Sequence, residues 1–412
     1  MRISTNTIYA NGIGQLGSLQ SQLAKTQMQL STNRRLVTAA DDPVAAARVL
    51  ELTQSASVNE QFKVNRMNAN SSLGQVEGAL TSATTLMQEI QRLSVYAGNG
   101  SLTPPDREAI AIDLESRMQD LLAVANTEDG VGGYLFAGHR ANTQPFTQTA
   151  AGAQYNGDQG QRQLQVGSSR TMPVSETGNV IFERNMTGNG DFQTRAAPGN
   201  TGSGLISPGT VTDKAALTGH NYSVTFAVTA TTPPVTTYMV TDTTTNESIP
   251  RPPAVATPQP YKSGQQIAFD GMALDVKGEP ANGDSFTTEP SVNQSVFTTI
   301  TDLVAALRQP TIGAGGKAQL ANSLSVANAN LGSSLDNILS VRASFGSRMQ
   351  ELDYLDSAGS DRDIQYQTAM SNLQDLDMVK ALSQFAQQQT SLEAAQKSFK
   401  IMSGLSLFNY IG

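Results

Sequence analysis

Apolar residues recur at every seventh position at both extremes of this chain. Near the start, Tyr9, Leu16, Leu23, Leu30 and Val37 share that interval, with Leu19 on the neighbouring seam position. A stripe spaced at 3.5 residues is narrow, as in a coiled coil, and predicts a helix from about Thr5 to about Val37. It is a weak helix: Gly12, Gly14 and Gly17 lie in it, and each glycine costs about 1 kcal/mol relative to alanine. The far end mirrors this. Met378, Phe385, Leu392 and Phe399 keep the interval in a last helix, with Leu382 beside them. Its partner seam is expected at Gln389, Gln396 and Ser403 and is polar, and Leu405, Leu407, Phe408 and Tyr410 form an apolar tip.

Inside these ends the same period continues. In the segment LVTAADDPVAAAR, residues 36–48, Asp42 is placed to cap a second helix. Pro43 suits its first turn, where no amide hydrogen is needed, and Asp41 adds negative charge at the positive helix end. This helix should run to about Ala97, with Phe62, Leu73, Val76, Leu80, Met87 and Ile90 on its seam. The run Gly98 to Gly100 ends it, and Thr103 with Pro104 starts a third helix through about Asn126. Leu324, Leu331, Ile338, Phe345 and Leu352 also recur by sevens, and Tyr366 and Leu373 hold that register. Leu73, Leu80 and Met87 with the series from Leu324 to Leu352 are the expected bundle core.

The middle of the chain changes period. Tyr222, Val224, Phe226 and Val228 alternate with small polar residues, as in a half-buried strand. Ile267 with Phe269, then Met272, Leu274 and Val276, suggest two more strands. Threonine supplies 10 of the 21 residues from Thr225 to Thr245, which suits exposed β surface. Of 17 prolines, 11 lie between Pro198 and Pro290 and none follows Pro310, which confines the non-helical part to an insert. The expected fold class is α+β: an elongated helical bundle and coiled coil built from both chain ends, with an inserted β-rich domain. Three domains are expected. Residues 1–40 and 370–412 form a terminal coiled coil, 41–175 and 293–369 a helical bundle with a β-hairpin, and 176–292 a β-rich, surface-exposed insert.

Terminal stripes this narrow bear on function. Ordering each residue costs about 1–2 kcal/mol, and a buried large apolar side chain returns about 1.5–3 kcal/mol. A stripe supplies one such side chain every three or four residues, so a lone hairpin of the two ends does not clearly outweigh its ordering cost. The ends are therefore expected to order when neighbouring subunits cover their second faces. The N-terminal assembly face is Tyr9, Leu16, Leu19, Leu23, Leu30 and Val37. The C-terminal one is Met378, Leu382, Phe385, Leu392, Phe399, Leu405 and Phe408. Periodicity alone leaves open an ordinary intramolecular bundle carrying the β region as an insert.

Composition narrows the chemistry. A net charge of -8 and a pI near 4.9 do not favour nucleic acid, whose non-specific binding comes from clustered Lys and Arg. With no cysteine, disulfides and thiolate metal sites are excluded. No run reaches the ~18 apolar residues of a membrane helix. MRISTNTIYANG lacks a basic segment followed by an apolar one, so no cleavable secretory signal is expected. His139 and His220 are distant and no HExxH occurs, which leaves a zinc site without a framework. Asp41 and Asp42 read as a helix cap rather than paired catalytic carboxylates. Gly313 to Lys317 is glycine-rich without P-loop spacing and reads as a loop. No catalytic residue, metal or cofactor is expected.

Several segments carry a resemblance to the flagellin superfamily, and within it to the hook–filament junction family (hook-associated protein 3). They are MRISTNTIY at residues 1–9, LVTAADDPVAAAR, Gly133-Tyr134-Leu135-Phe136-Ala137-Gly138, FAQQQTSLEAAQKSF at 385–399 and the closing LSLFNYIG. Gly278, Pro280, Gly283, Asp284 and Phe286 form a GxPxxGDxF pattern similar to other flagellar axial proteins. The resemblance covers about residues 1–165 and 295–412. It implies export unfolded through the flagellar type III apparatus and an extracellular place at the hook–filament junction. It also implies assembly in a ring or helical layer with copies of itself. The other implied partners are the hook-side junction protein (hook-associated protein 1), flagellin and a cytoplasmic export chaperone on the C-terminal helix, without membrane insertion. Flagellin itself is the close alternative, set back by the MRIST start and NYIG end. A type III needle or translocator protein is a remoter one.

Overall fold

A computed structural model describes residues 5–250 and 257–404. Among these the helices are α1 (Thr5–Thr32), α2 (Pro43–Ala97), α3 (Pro104–Ala125), α4 (Gly178–Phe182), α5 (Val296–Arg308), α6 (Gly313–Gln374) and α7 (Met378–Gly404). Strands fill the chain between α3 and α5. First come β1 (Phe146–Thr149), β2 (Gly152–Tyr155), β3 (Gln163–Gly167), β4 (Arg170–Pro173) and β5 (Asn185–Met186). Then follow β6 (Phe192–Ala196), β7 (Leu205–Ile206), β8 (Thr210–Val211), β9 (Tyr222–Val228), β10 (Thr236–Asp242) and β11 (Glu247–Ile249). The series closes with β12 (Gln259–Pro260), β13 (Gln266–Phe269), β14 (Met272–Lys277), β15 (Ser285–Pro290) and β16 (Asn293–Gln294).

Contacts group the chain into two compact units. One comprises residues 1–65 and 353–412, the other residues 66–352. The division falls within α2 and α6 rather than at the turns near residues 40 and 370. The β insert groups with the helices from residue 66 onward and does not stand apart as a third unit.

In the second unit the heptads become a core. Leu73, Leu80 and Met87 of α2 and Leu324, Leu331, Ile338, Phe345 and Leu352 of α6 are all buried. α3 packs against α5, and Arg308 clamps the pair by forked hydrogen bonds to Glu108 and Glu115. Where the β1–β2 hairpin meets α4 and α5, Phe136, Phe146, Phe182 and Phe297 are fully buried. Their ring centroids lie 5.3–5.9 Å apart, the spacing at which edge and face quadrupoles attract. Only Phe136 of the four was marked by a sequence motif. Phe146 and Phe182 sit in elements of four and five residues, too short to show a period, whereas Phe297 lies in α5, where Ile300, Leu303 and Leu307 repeat at helical spacing.

β5 and β16 pair antiparallel at the root of the insert. Beyond them lie two antiparallel sheets. One has the order β11–β10–β9–β15–β6, with β12 also on β10. The other is β13–β14–β7, with β8 also on β14. The alternation of β9 turns Tyr222, Val224 and Phe226 inward against Ile267, Phe269, Leu274 and Val276, and leaves Thr225 and Ala227 outside. Three asparagines of α6 satisfy backbone groups of the segments around it. Asn322 bonds both Ile206 N and Gly204 O, Asn330 accepts from Gly188 N, and Asn337 donates to Val180 O.

The GxPxxGDxF pattern proves to be a fastener. Gly278 and Gly283 hold φ of 91° and 88°, left-handed values that glycine adopts without strain. Asp284 is buried and accepts amides from Thr201, Gly202 and Ala281 at 2.8–3.0 Å. Phe286 enters the insert core edge-on to Phe226.

Two expected boundaries are corrected. α1 stops at Thr32, because Asn33 turns left-handed at φ 53°, so Val37 lies outside the helix. Residues Gly313–Lys317, expected as a loop, form the first turn of α6. Glycine is required there, since a Cβ at Gly315 would meet Thr201 O at 2.5 Å.

Removing the buried Asp284 carboxylate should leave three part-buried amides without their acceptor. Asp284→Ala is expected to destabilise the insert by about 3 kcal/mol, seen as an earlier denaturant midpoint of the near-ultraviolet tyrosine signal. An unchanged midpoint would show that the fastener is dispensable.

Candidate assembly interface

α1 and α7 lie side by side, and their seam is read most clearly from burial. On α1 the covered positions are Tyr9, Gly12, Leu16, Leu19, Leu23, Thr26 and Leu30, alternating steps of three and four. On α7 they are Ala381, Phe385, Gln388, Leu392, Ala395 and Phe399. Alternating three-four spacing keeps one narrow face of each helix toward the other. Tyr9 stands edge-on to Phe399 with centroids 5.5 Å apart. Gly12 lies beneath the same ring; a Cβ there would come within 2.8 Å of it. Buried Thr26 donates to Gln388 Oε1 at 2.8 Å and to Gln22 O at 3.0 Å.

Several expected seam residues sit elsewhere. Val37 is half-buried in the turn after α1. Met378 opens α7 at its exposed first turn, and Leu382 is exposed because it lies one residue, about 100° of helix, past the covered Ala381. Gln389 and Gln396 are likewise exposed, one step beyond the seam at Gln388 and Ala395. Leu405 and Phe408, with Leu407 and Tyr410, lie outside the described residues. Gly12 and Thr26 do not register in a hydrophobic stripe because neither is a large apolar residue.

The seam is shallow. Among the described residues of the first unit, those buried are Thr26, Ala45, Asn59, Gly359 and Ala381, without one large apolar side chain. Asn59 donates to Gly359 O at 2.8 Å. At the same time apolar side chains face outward: Ile13 is 61% exposed, Val379 81% and Ile401 64%.

Two turns close this unit. Arg35 N donates to Gln374 O at 2.7 Å, its guanidinium reaches Leu373 O, and Arg34 pairs with Asp375. Asp42 Oδ1 accepts the Ala45 amide at the start of α2, and Pro43 is its first residue. Asp41 does not act at the helix end. Its carboxylate accepts the Thr38 and Val37 amides and meets Lys25 Nζ of α1 at 2.7 Å. The Lys25 ammonium first, then these amides, holds the Asp41 carboxyl well below the ordinary carboxylate range. Among the described residues no cluster of His, Asp or Glu could hold a metal ion, and no helix is long and apolar enough to cross a membrane. His139 is an exposed turn residue, and His220 Nδ1 lies 2.7 Å from buried Asp242 in the insert.

Comparison with known proteins places the chain in a family. Residues 3–141 match the bacterial flagellin N-terminal helical region, and residues 196–290 a flagellar hook-associated protein 1, D2-like domain. Flagellar hook-associated protein 3 of Salmonella typhimurium is 29% identical over 409 residues, 99% of each chain. The crystal structure of flagellar hook-associated protein-3 from Legionella pneumophila is 32% identical. It superposes with a TM-score of 0.75, covering 79% of this chain and 98% of that one.

This chain belongs to the hook-associated protein 3 family.

Another member, FlgL of Xanthomonas campestris, is also 32% identical, with a TM-score of 0.69 over 78% of this chain and 99% of that one. Flagellins match only 30–31% of this chain. In this hook-associated protein 3 relative, the matched flagellin-like segment includes α1, the Asp41–Pro43 turn, α2 and α3.

The Asp41 linkage has a defined sign. A carboxyl held below its unfolded value contributes stability above about pH 4 and loses it as pH falls further. Protection factors of the Val37 and Thr38 amides should hold from neutral pH to about pH 4 and then decline. Protection that persists unchanged far below that point would contradict the Lys25–Asp41 tie.

Proposed function

We propose that this chain is a structural subunit of the bacterial flagellum, and that it joins the hook to the filament by assembling in a layer through α1 and α7. The observation that carries the reading is the terminal hairpin, which buries no large apolar side chain by itself while Ile13, Val379 and Ile401 face outward. An apolar surface left this open is covered by association, and head-to-tail repetition of one surface builds rings or helical arrays. Full-length similarity to hook-associated protein 3 supports the junction over flagellin, whose curated relatives match 30–31% of this chain.

On this reading the partners are copies of the chain, the hook-side junction protein and flagellin. A cytoplasmic chaperone covers the C-terminal helix before unfolded export, and the assembled protein is extracellular. The three-part division into terminal coiled coil, bundle and surface insert describes what each region does in the layer: contact, spacing and exposure. The molecule acts by shape and cohesion rather than by catalysis.

Immunogold labelling tests the assignment. Gold should mark one site at the base of each filament; label along the whole filament would identify a flagellin instead. Phe385→Asp or Leu392→Asp should abolish filament attachment while the tyrosine signal of the insert unfolds as before. Deleting residues 196–290 should leave more motility than trimming the last dozen residues, and swimming assays giving the reverse order would overturn the proposed roles.

A further inference from the structure

Two positions interrupt the seam of α1, Gly12 and Thr26, two heptads apart. Each meets a side chain that its neighbours along the stripe could not accept. Phe399 lies where a Cβ on Gly12 would come within 2.8 Å of its ring, and it is braced edge-on by Tyr9. The Thr26 hydroxyl is 2.8 Å from Gln388 Oε1, and Thr26 is one of the few buried residues of its unit. We infer that Gly12–Phe399 and Thr26–Gln388 are positioning pairs that set the register of α1 on α7.

The leucines cannot do this. Leu16, Leu23 and Leu30 are identical and evenly spaced, so the stripe by itself would accept a shift of one heptad, about 10 Å of helix rise, and find leucine again. The ties of Arg35 to Gln374 and of Arg34 to Asp375 hold the base of the hairpin, and the two pairs oppose the slide further along, in both directions. One slip carries Phe399 onto Leu19, where the side chain occupies the space Gly12 leaves open, and moves Gln388 past the end of α1 at Asn33. The opposite slip takes Phe399 to the first residues of α1 and faces Gln388 with Leu19 in place of a hydroxyl. A polar pair on an apolar seam specifies register at some cost in stability. The glycine does the same by shape, at the expense of helix propensity. The consequence rests on the assembly reading above: a neighbouring copy can meet Ile13 on α1 and Val379, Leu382 and Ile401 on α7 only if their relative heights are constant.

The chain has no cysteine, so an introduced pair reports register without interference. Leu16→Cys with Ala395→Cys probes the observed register, since each lies four residues inward of Gly12 and Phe399. Leu23→Cys with Ala395→Cys probes a one-heptad slip. In the full chain assembled on hooks, mild oxidation should cross-link the first pair within one chain and leave the second a minor product. In a Gly12→Ala, Thr26→Leu, Gln388→Leu background the slipped product should rise to parity with the matched one, whereas Thr26→Ser alone should keep the parent pattern. The inference fails if the slipped pair already cross-links as readily as the matched pair in the parent. It also fails if the slipped product stays minor in the triple variant, or if neither pair cross-links. Gold labelling reports location separately, so a protein found elsewhere on the flagellum would refute the junction reading and leave the register result to stand or fall by itself.

Discussion

Pairing of α1 with α7 leaves every large apolar side chain of their seam only half covered, and much about this protein depends on that shortfall. Two helices alone can cover one narrow face of each other. Tyr9, Leu16, Leu23, Phe385, Leu392 and Phe399 lose part of their water contact, while Ile13, Val379 and Ile401 lose little. The hydrophobic effect scales with area removed from water, so the remaining exposed area is an unsatisfied driving force for association. The Lys25–Asp41 tie acts on a turn rather than on the seam.

The second unit is built on the opposite balance. Leu73, Leu80 and Met87 of α2 and the α6 series are buried, as are the four phenylalanines around α4. Several polar side chains there are anchored to the backbone. Asn322, Asn330 and Asn337 bond backbone groups of the loops beside α6, and Asp284 gathers three amides. A buried amide or carboxylate with all partners present specifies one arrangement of the chain around it. This unit therefore has the means to be rigid as a monomer, and the terminal unit has the means to be adaptable until docked.

Heptads are a local property, so long helices were legible before any fold was known. Leu324 to Leu352 repeat over enough turns to define a buried face unaided, and the alternation of Tyr222, Val224 and Phe226 marks its strand equally well. The terminal interface was legible only in part. A stripe drawn through large apolar residues includes Leu382, which is exposed, and misses Gly12 and Thr26, which are covered. Hydrophobicity measures what a side chain prefers, not which side chain faces it, and Gly12 matters only because Phe399 arrives from nearly four hundred residues away.

The order of elements, the period of each helix, the location of the β insert and the family resemblance are all legible without coordinates, because each is written in residues close together along the chain. Tertiary structure alone decided which residue sits against which: that Asp41 holds Lys25 and the amides of its own turn, that Asp284 fastens a distant loop, and that the seam runs through Gln388 and Ala395 instead of Gln389 and Gln396. One residue of helix is about 100° of rotation. That is too small a step for a sequence pattern to resolve, and large enough to separate a covered side chain from an exposed one.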